Sequence, residues 1–173
     1  MIYITKEVYL DYDKSPKRIF TKCMFGFNDA LVSTTGVIVG ISTGTGNKQV
    51  VILAGVVTIL VEALSMGSGQ YLSSKSAHQL DRSDSFKVPL ISGLIMFGAY
   101  FLAGLVPLLS IIIFPMSYSR DIAIVAALSC LLVLGYAKGR IVKVPPIRSA
   151  MEVLIIGGIT TAIGIIAGNI FSV

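Results

Sequence analysis

Five long stretches of this sequence are almost free of charged residues, and that pattern restricts the possible folds more than any other feature. A helix needs roughly 20 residues to cross about 30 Å of hydrocarbon. The expected spans are residues 23–44, 49–74, 88–114, 121–138 and 149–172. The apolar runs do not alternate with polar residues, so they do not fit a membrane β-barrel. We therefore predict an all-α membrane protein with five transmembrane helices after an N-terminal segment of residues 1–22.

The composition agrees with lipid as the solvent. Charged residues make up 13% and hydrophobic residues 54% of the 173 residues, whereas soluble domains typically contain about 25% charged residues. The net charge of +5 does not indicate nucleic-acid binding, because no basic stripe is interleaved with aromatic residues. One histidine and two cysteines without a CxxC motif give no basis for a zinc or haem site, so we expect no cofactor.

The basic residues predict an orientation in the membrane. Of the 14 Lys and Arg residues, twelve fall in the N-terminal segment and in the second and fourth connections, and only Lys48 and Arg120 fall on the other side. Because basic loops stay in the cytosol, we predict a cytoplasmic N-terminus and an outside C-terminus. Residues 1–22 also carry side chains at near-helical spacing that would suit an interfacial amphipathic helix: Ile4, Val8, Tyr9 and Tyr12.

Two acidic residues, Asp29 and Glu62, lie deep inside the predicted spans, whereas the other seven lie in tails, in loops or at helix ends. An aspartate at the centre of a membrane helix costs about 2.5–3.5 kcal/mol, so such residues face a protein interior or a water-filled path. No Lys or Arg inside a span is available to neutralise them. A cation from solution or a proton is therefore the expected partner, and the alternative is a protonated carboxyl that is hydrogen-bonded within the bundle.

Glu62 belongs to a polar stripe on the second helix. Thr58, Glu62, Met66 and Gln70 follow one another at intervals of four residues, which places them on one face. Oxygen ligands alone would suit Mg²⁺ or Ca²⁺, and a thioether beside a carboxylate shifts the preference toward softer transition ions. For Met66 alone, filling the core is the simpler interpretation.

The first span is rich in small residues. Gly36, Gly40 and Gly44 form two overlapping GxxxG units, and Ser33 precedes them. This pattern predicts that the first helix packs closely against another helix, and its own copy in a homodimer is one candidate.

Three segments together resemble a known family. Asp-Ala-Leu-Val-Ser-Thr-Thr-Gly from Asp29 resembles the start of the first helix of the vacuolar iron transporter family. Glu-Ala-Leu-Ser-Met-Gly-Ser-Gly-Gln-Tyr-Leu-Ser-Ser-Lys-Ser from Glu62 resembles the end of its second helix, and Met-Glu-Val-Leu-Ile-Ile-Gly-Gly from Met151 resembles the start of its fifth. The resemblance covers residues 24–173 in the same helix order.

The resemblance implies a homodimer that exports Fe²⁺ or Mn²⁺ from the cytosol in exchange for protons. It implies that Asp29 and Met66 line the metal path. Together with the residue-level argument, this predicts a metal site of Asp29, Glu62 and Met66 in a path lined by Ser33, Thr58 and Gln70. The membrane would be the cell membrane in a prokaryote, and a vacuolar or other organelle membrane in a eukaryote.

The sequence departs from that family at three places. Thr58 and Gln70 stand where the family commonly has acids. A connection of about thirteen residues, 75–87, stands where typical members have a long, Glu-rich cytoplasmic domain that gathers metal. These losses leave a second hypothesis open, a scaffold or partner subunit that does not transport. There is no P-loop, HExxH motif or nucleophile elbow, so we expect no enzyme and a gradient as the energy source.

Overall fold

The computed structural model describes residues 16–80 and 86–172, and nearly all of these residues are helical. The five helices in chain order are α1 Pro16–Thr45, α2 Lys48–Leu80, α3 Lys87–Ile113, α4 Met116–Val142 and α5 Pro146–Ile170. Each is long and apolar enough to cross a membrane. The predicted all-α membrane protein with five transmembrane helices is therefore confirmed. The suggested interfacial helix around Ile4 and Tyr12 lies outside the described residues.

The helices extend beyond the apolar runs from which they were predicted. Residues 75–80 belong to α2 and residues 139–142 belong to α4, although both were expected in loops. At 33 residues, α2 is about 50 Å long at 1.5 Å per residue. Charged side chains can reach the headgroups and water from such ends, so the helix continues where the apolar run stops. The apolar pattern marks the part within hydrocarbon and does not mark the helix ends.

The connection between α1 and α2 consists of Gly46 and Asn47 alone. Gly46 has a φ of 60°, a left-handed conformation that glycine adopts without a Cβ clash. The side chain of Asn47 accepts hydrogen bonds at 3.0 and 3.3 Å from the backbone N–H groups two and three residues on. It thus caps the first turn of α2, and the two helices form a tight antiparallel hairpin.

The α1 and α3 helices are the most buried of the five. They run parallel, since Lys22 Nζ donates a hydrogen bond to Ser92 Oγ at 2.6 Å and a Cβ at Gly26 would lie 3.1 Å from Ala99 Cβ. An offset of about 70 residues therefore relates neighbouring positions on the two helices. By this register, residue 33 of α1 lies near residue 100 of α3.

The α2 and α3 helices pack in the antiparallel direction through small residues. A Cβ at Gly93 would lie 2.7 Å from the carbonyl oxygen of Gly67, and a Cβ at Gly104 would lie 2.9 Å from Ile59 Cγ1. The backbones therefore approach closely along this interface. Between these two contacts, the middle of α2 near residue 62 lies opposite residue 100 of α3.

The glycine stripe of α1 packs against α5 of the same chain. A Cβ at Gly40 would lie 2.9 Å from the carbonyl oxygen of Gly164, and a Cβ at Gly44 would lie 3.1 Å from that of Gly168. The predicted close packing is confirmed. The suggestion of a homodimer through this stripe is not supported, because the GxxxG pattern specifies close approach but not the partner, and α5 supplies matching glycines.

This packing generates a prediction about two glycines. Gly40→Ala should destabilise the protein by about 1–3 kcal/mol, because the new methyl group meets backbone that cannot move away. Gly158→Ala is the matched control, because a Cβ at Gly158 meets nothing within 4 Å, and it should be neutral or stabilising by up to about 1 kcal/mol. Unfolding of both purified variants in detergent measures the difference. Equal stability would contradict the α1–α5 contact.

Candidate metal-binding site

Two helices, α1 and α3, each bring a hydroxyl group to one oxygen of Glu62, which lies on α2. Ser33 Oγ, from α1, donates a hydrogen bond to Glu62 Oε2 at 3.0 Å. The Tyr100 hydroxyl, from α3, donates a hydrogen bond to the same oxygen. The two hydroxyl oxygens are also 2.6 Å apart. We call these three residues the Ser33–Glu62–Tyr100 triangle.

The helix registers explain why the triangle forms. The parallel packing of α1 and α3 brings Ser33 to the level of Tyr100. The antiparallel packing of α2 and α3 brings Glu62 to the same level. The small residues at these interfaces allow the approach that the short polar bonds require.

Tyr100 is the most constrained member of the triangle. Its side chain is 0% exposed, and a buried phenol hydroxyl without a partner is costly. Glu62 Oε2 accepts the hydrogen bond of this hydroxyl. Glu62 itself is half-buried, and no residue in the described part of the chain donates a hydrogen bond to its other oxygen, Oε1. One carboxylate oxygen is therefore held, and the other is available to a ligand.

Asp29 and Met66 lie at a second level, one helical turn from the triangle. Asp29 precedes Ser33 by four residues and Met66 follows Glu62 by four, so in an antiparallel hairpin both are displaced in the same direction. Both are half-buried. Asp29 has no hydrogen bond or ion pair with any described residue, and Met66 packs against the apolar cluster around Tyr100. A carboxylate and a thioether therefore share one depth.

Thr58 and Gln70 extend the polar stripe of α2 on either side of Glu62 and Met66. Both are half-buried, like the other two members, so the predicted stripe borders the buried face of α2 rather than pointing to open surface. Within residues 16–80 and 86–172, no hydrogen bond from either side chain reaches Glu62. Their place is consistent with lining a path.

The α1 side of the site holds polar atoms that lack partners. Asn28 Oδ1, Thr34 Oγ1 and Thr35 Oγ1 are buried and have no hydrogen-bond partner among the described residues. Buried polar atoms are rarely left unpaired, and water or a ligand commonly completes them. Asn28 and Thr34 are adjacent in sequence to Asp29 and Ser33, and Thr35 follows one residue later.

The donor set is sparse for a resident metal. The described residues contain no group of three or more His, Cys, Asp or Glu side chains that could hold an ion. Structural sites usually surround the ion with four or more protein ligands. Two carboxylates and one thioether at two adjacent levels suit an ion that is held briefly and keeps some water.

Sequence reasoning found Asp29, Ser33 and Glu62 and missed Tyr100. The available signal was a tyrosine in the middle of the uncharged run of α3, where its hydroxyl lies far from both membrane surfaces. A phenol at that depth needs a polar partner, and a mid-span acid on a neighbouring helix is the natural candidate. The sequence could not show which helices are neighbours.

Comparisons with a family model and with known proteins point to the same family. A family model described as the VIT family matches residues 20–87 and 77–169. Vacuolar iron transporter homolog 3 of Arabidopsis thaliana is 27% identical over 171 residues, covering 91% of this chain and 85% of that protein. Vacuolar iron transporter 1 of Eucalyptus grandis is 24% identical over 201 residues, covering 80% of this chain and 81% of that protein.

The triangle generates a prediction about energetic coupling. Tyr100→Phe and Glu62→Leu should be non-additive in the free energy of unfolding, with a coupling of about 0.5–3 kcal/mol, because each removes the same hydrogen bond. The control pairs Glu62→Leu with Tyr136→Phe, a change at an exposed tyrosine of α4, and should be additive. Unfolding of the single and double variants in detergent measures both cycles. Additivity of the Tyr100 cycle would contradict the hydrogen bond.

Proposed function

Because this chain belongs to the VIT family, we propose that it carries a divalent transition-metal ion, Fe²⁺ or Mn²⁺, out of the cytosol in exchange for protons. The observation that carries the proposal is the Glu62 carboxylate, which lies in the middle of α2 with Oε1 unbonded by the described residues. An acid at this depth is costly and is retained where it meets a cation or a proton.

In this proposal the ion passes between two levels of ligands. Asp29 and Met66 form one level, and Oε1 of Glu62 faces the ion at the next. Both carboxylates are ligands only when deprotonated, so a proton and a metal ion compete for the same lone pairs. Protons that enter from the opposite side would displace the ion, and the proton gradient would supply the energy.

Met66 supports the choice of ion. A thioether is a poor ligand for Mg²⁺ or Ca²⁺ and is better tolerated by softer transition ions. The similar plant proteins carry iron transport in their names, which agrees with Fe²⁺ as one cargo and leaves Mn²⁺ as part of the proposal. By the same comparison, a vacuolar or other organelle membrane is the proposed location in a eukaryotic cell.

The connection between α2 and α3 sets how the ion would be captured. The two segments that match the family model meet at residues 77–87, which is where typical members of the family are expected to carry the metal-gathering domain. With α2 ending at Leu80 and α3 beginning at Lys87, no room for such a domain remains between them. We propose that the ion enters the path directly from solution.

A homodimer remains part of the proposal, although the α1 glycines no longer identify its interface. Light scattering of the purified protein in detergent tests this: twice the chain mass would support a dimer, and the mass of one chain would contradict it.

The proposed direction of transport requires a cytoplasmic N-terminus, which accessibility can test. In a variant with Cys23 and Cys130 replaced by Ser and expressed in a bacterial cell membrane, a membrane-impermeant maleimide should label Asn47→Cys on intact cells. It should label Ala77→Cys only after permeabilisation. Both native positions are exposed, so access depends on the side of the membrane. The reverse result would contradict the orientation predicted from the basic residues.

Transport itself is tested by uptake of Fe²⁺ and Mn²⁺ into proteoliposomes under an imposed pH gradient. Asp29→Asn and Glu62→Gln should each reduce uptake by at least about tenfold, because each removes a negative ligand charge. Met66→Leu should lower the rate of Fe²⁺ uptake. It should have a smaller effect on how strongly Mg²⁺ inhibits that uptake. Glu152→Gln is the control, since Glu152 is exposed and pairs with Arg148 at 3.3 Å.

The opposite result would favour the second hypothesis. If folded wild-type protein moved no divalent ion under any gradient, a scaffold or partner subunit that does not transport would be the better account. Uptake that survives both acid substitutions would keep the transporter but remove the carboxylates from its path.

A further inference from the structure

We propose that Ser33 and Tyr100 set the ion selectivity of Glu62 by holding one of its two carboxylate oxygens, so that the ion can bind only the other. The inference rests on the proposed function for its cargo and deepens it. Ser33 and Tyr100 act here as positioning residues, which touch Glu62 and not the ion.

The triangle fixes Oε2 of Glu62 from two directions. Ser33 Oγ donates to it at 3.0 Å and the Tyr100 hydroxyl donates to it as well. An ion at bonding distance from Oε2 would have to displace these donors. Displacement is costly for Tyr100, which is 0% exposed and would keep only Ser33, at 2.6 Å, as a partner.

Oε1 of Glu62 has no such restraint. No donor in the described part of the chain reaches it, so Glu62 presents one oxygen to an ion and coordinates it in the monodentate mode. The second carboxylate, Asp29, is one turn away, and the remaining nearby ligand, Met66, is a thioether.

This geometry discriminates against Ca²⁺. Ca²⁺ takes about 6–8 oxygen ligands and commonly uses both oxygens of a carboxylate, whereas smaller divalent ions accept fewer ligands and single carboxylate oxygens. With Oε2 held, the site cannot supply the extra oxygen. Removal of either hydroxyl frees Oε2 for bidentate binding, and Ca²⁺ gains more from that change than Mn²⁺ does.

The inference is tested by equilibrium binding of Mn²⁺ and of Ca²⁺ to the purified full chain in detergent, which does not require transport. Tyr100→Phe should shift the ratio of the two dissociation constants toward Ca²⁺ by about tenfold. Ser33→Ala should shift it in the same direction by less, because the Tyr100 hydroxyl remains. Tyr136→Phe, at an exposed tyrosine, is the matched control and should leave the ratio unchanged.

Infrared difference spectra give a second readout that a purely structural role would not move. The carboxylate bands of Glu62 are identified by their loss in Glu62→Gln. On binding Mn²⁺, the wild type should show the wide separation of antisymmetric and symmetric stretches that marks monodentate binding. In Tyr100→Phe with Ca²⁺, the separation should narrow to the bidentate pattern. If Tyr100→Phe does not fold, the binding ratio and the infrared spectra are both measured on Ser33→Ala.

Each outcome separates the inference from the proposed function. Equal weakening of both ions, a bidentate pattern in the wild type, or no binding of either ion would overturn the inference. Wild-type binding with the expected shift, but no uptake into proteoliposomes, would leave the inference intact and remove the transporter. Wild-type uptake together with an unchanged ratio of the two dissociation constants in Tyr100→Phe and Ser33→Ala would overturn the inference and leave the transporter intact.

Discussion

The hydrogen bonds that join Ser33 and Tyr100 to Glu62 are the interaction on which the rest of the site depends. A carboxylate within a membrane span has no water to stabilise it from the lipid side. The protein supplies two hydroxyl donors from two other helices instead. The Tyr100 hydroxyl can reach Glu62 because Gly67 and Gly93 bring α2 and α3 into close backbone contact. The polar contacts of the bundle thus depend on helix packing through small residues.

Much of this architecture could be predicted from the sequence, and the limits have physical reasons. The length of each nearly charge-free run matches the number of helical residues that cross the hydrocarbon, so the five helices were predicted correctly. The same runs say nothing about helix ends in water, so residues 75–80 of α2 were expected in a loop. Asp29 and Glu62 were predicted from the cost of their charge. Tyr100 was missed because a tyrosine becomes informative only when its neighbouring helix is known. The glycines of α1 indicated close contact but could not specify α5.

The sparse set of proposed ligands agrees with the proposal of an ion that passes through rather than one that stays. A site that moves its cargo must bind strongly enough to remove part of the hydration shell and weakly enough to let the ion leave. A cage of four strong ligands would fail the second requirement. One free oxygen of Glu62, with Asp29 and Met66 a turn away, leaves coordination positions for water.

The two-residue connection between α1 and α2 has a mechanical consequence. Gly46 and Asn47 form a very short connection, so the two helices that carry Asp29 and Glu62 are joined at a single point, which can serve as a pivot. Near that pivot α1 is packed backbone to backbone against Gly164 and Gly168 of α5. A rotation about the pivot produces little displacement at the turn and the largest displacement at the far ends of the helices. Any rotation of the hairpin about this turn would displace the level of Asp29 and Met66 more than the triangle, because that level lies farther from the turn.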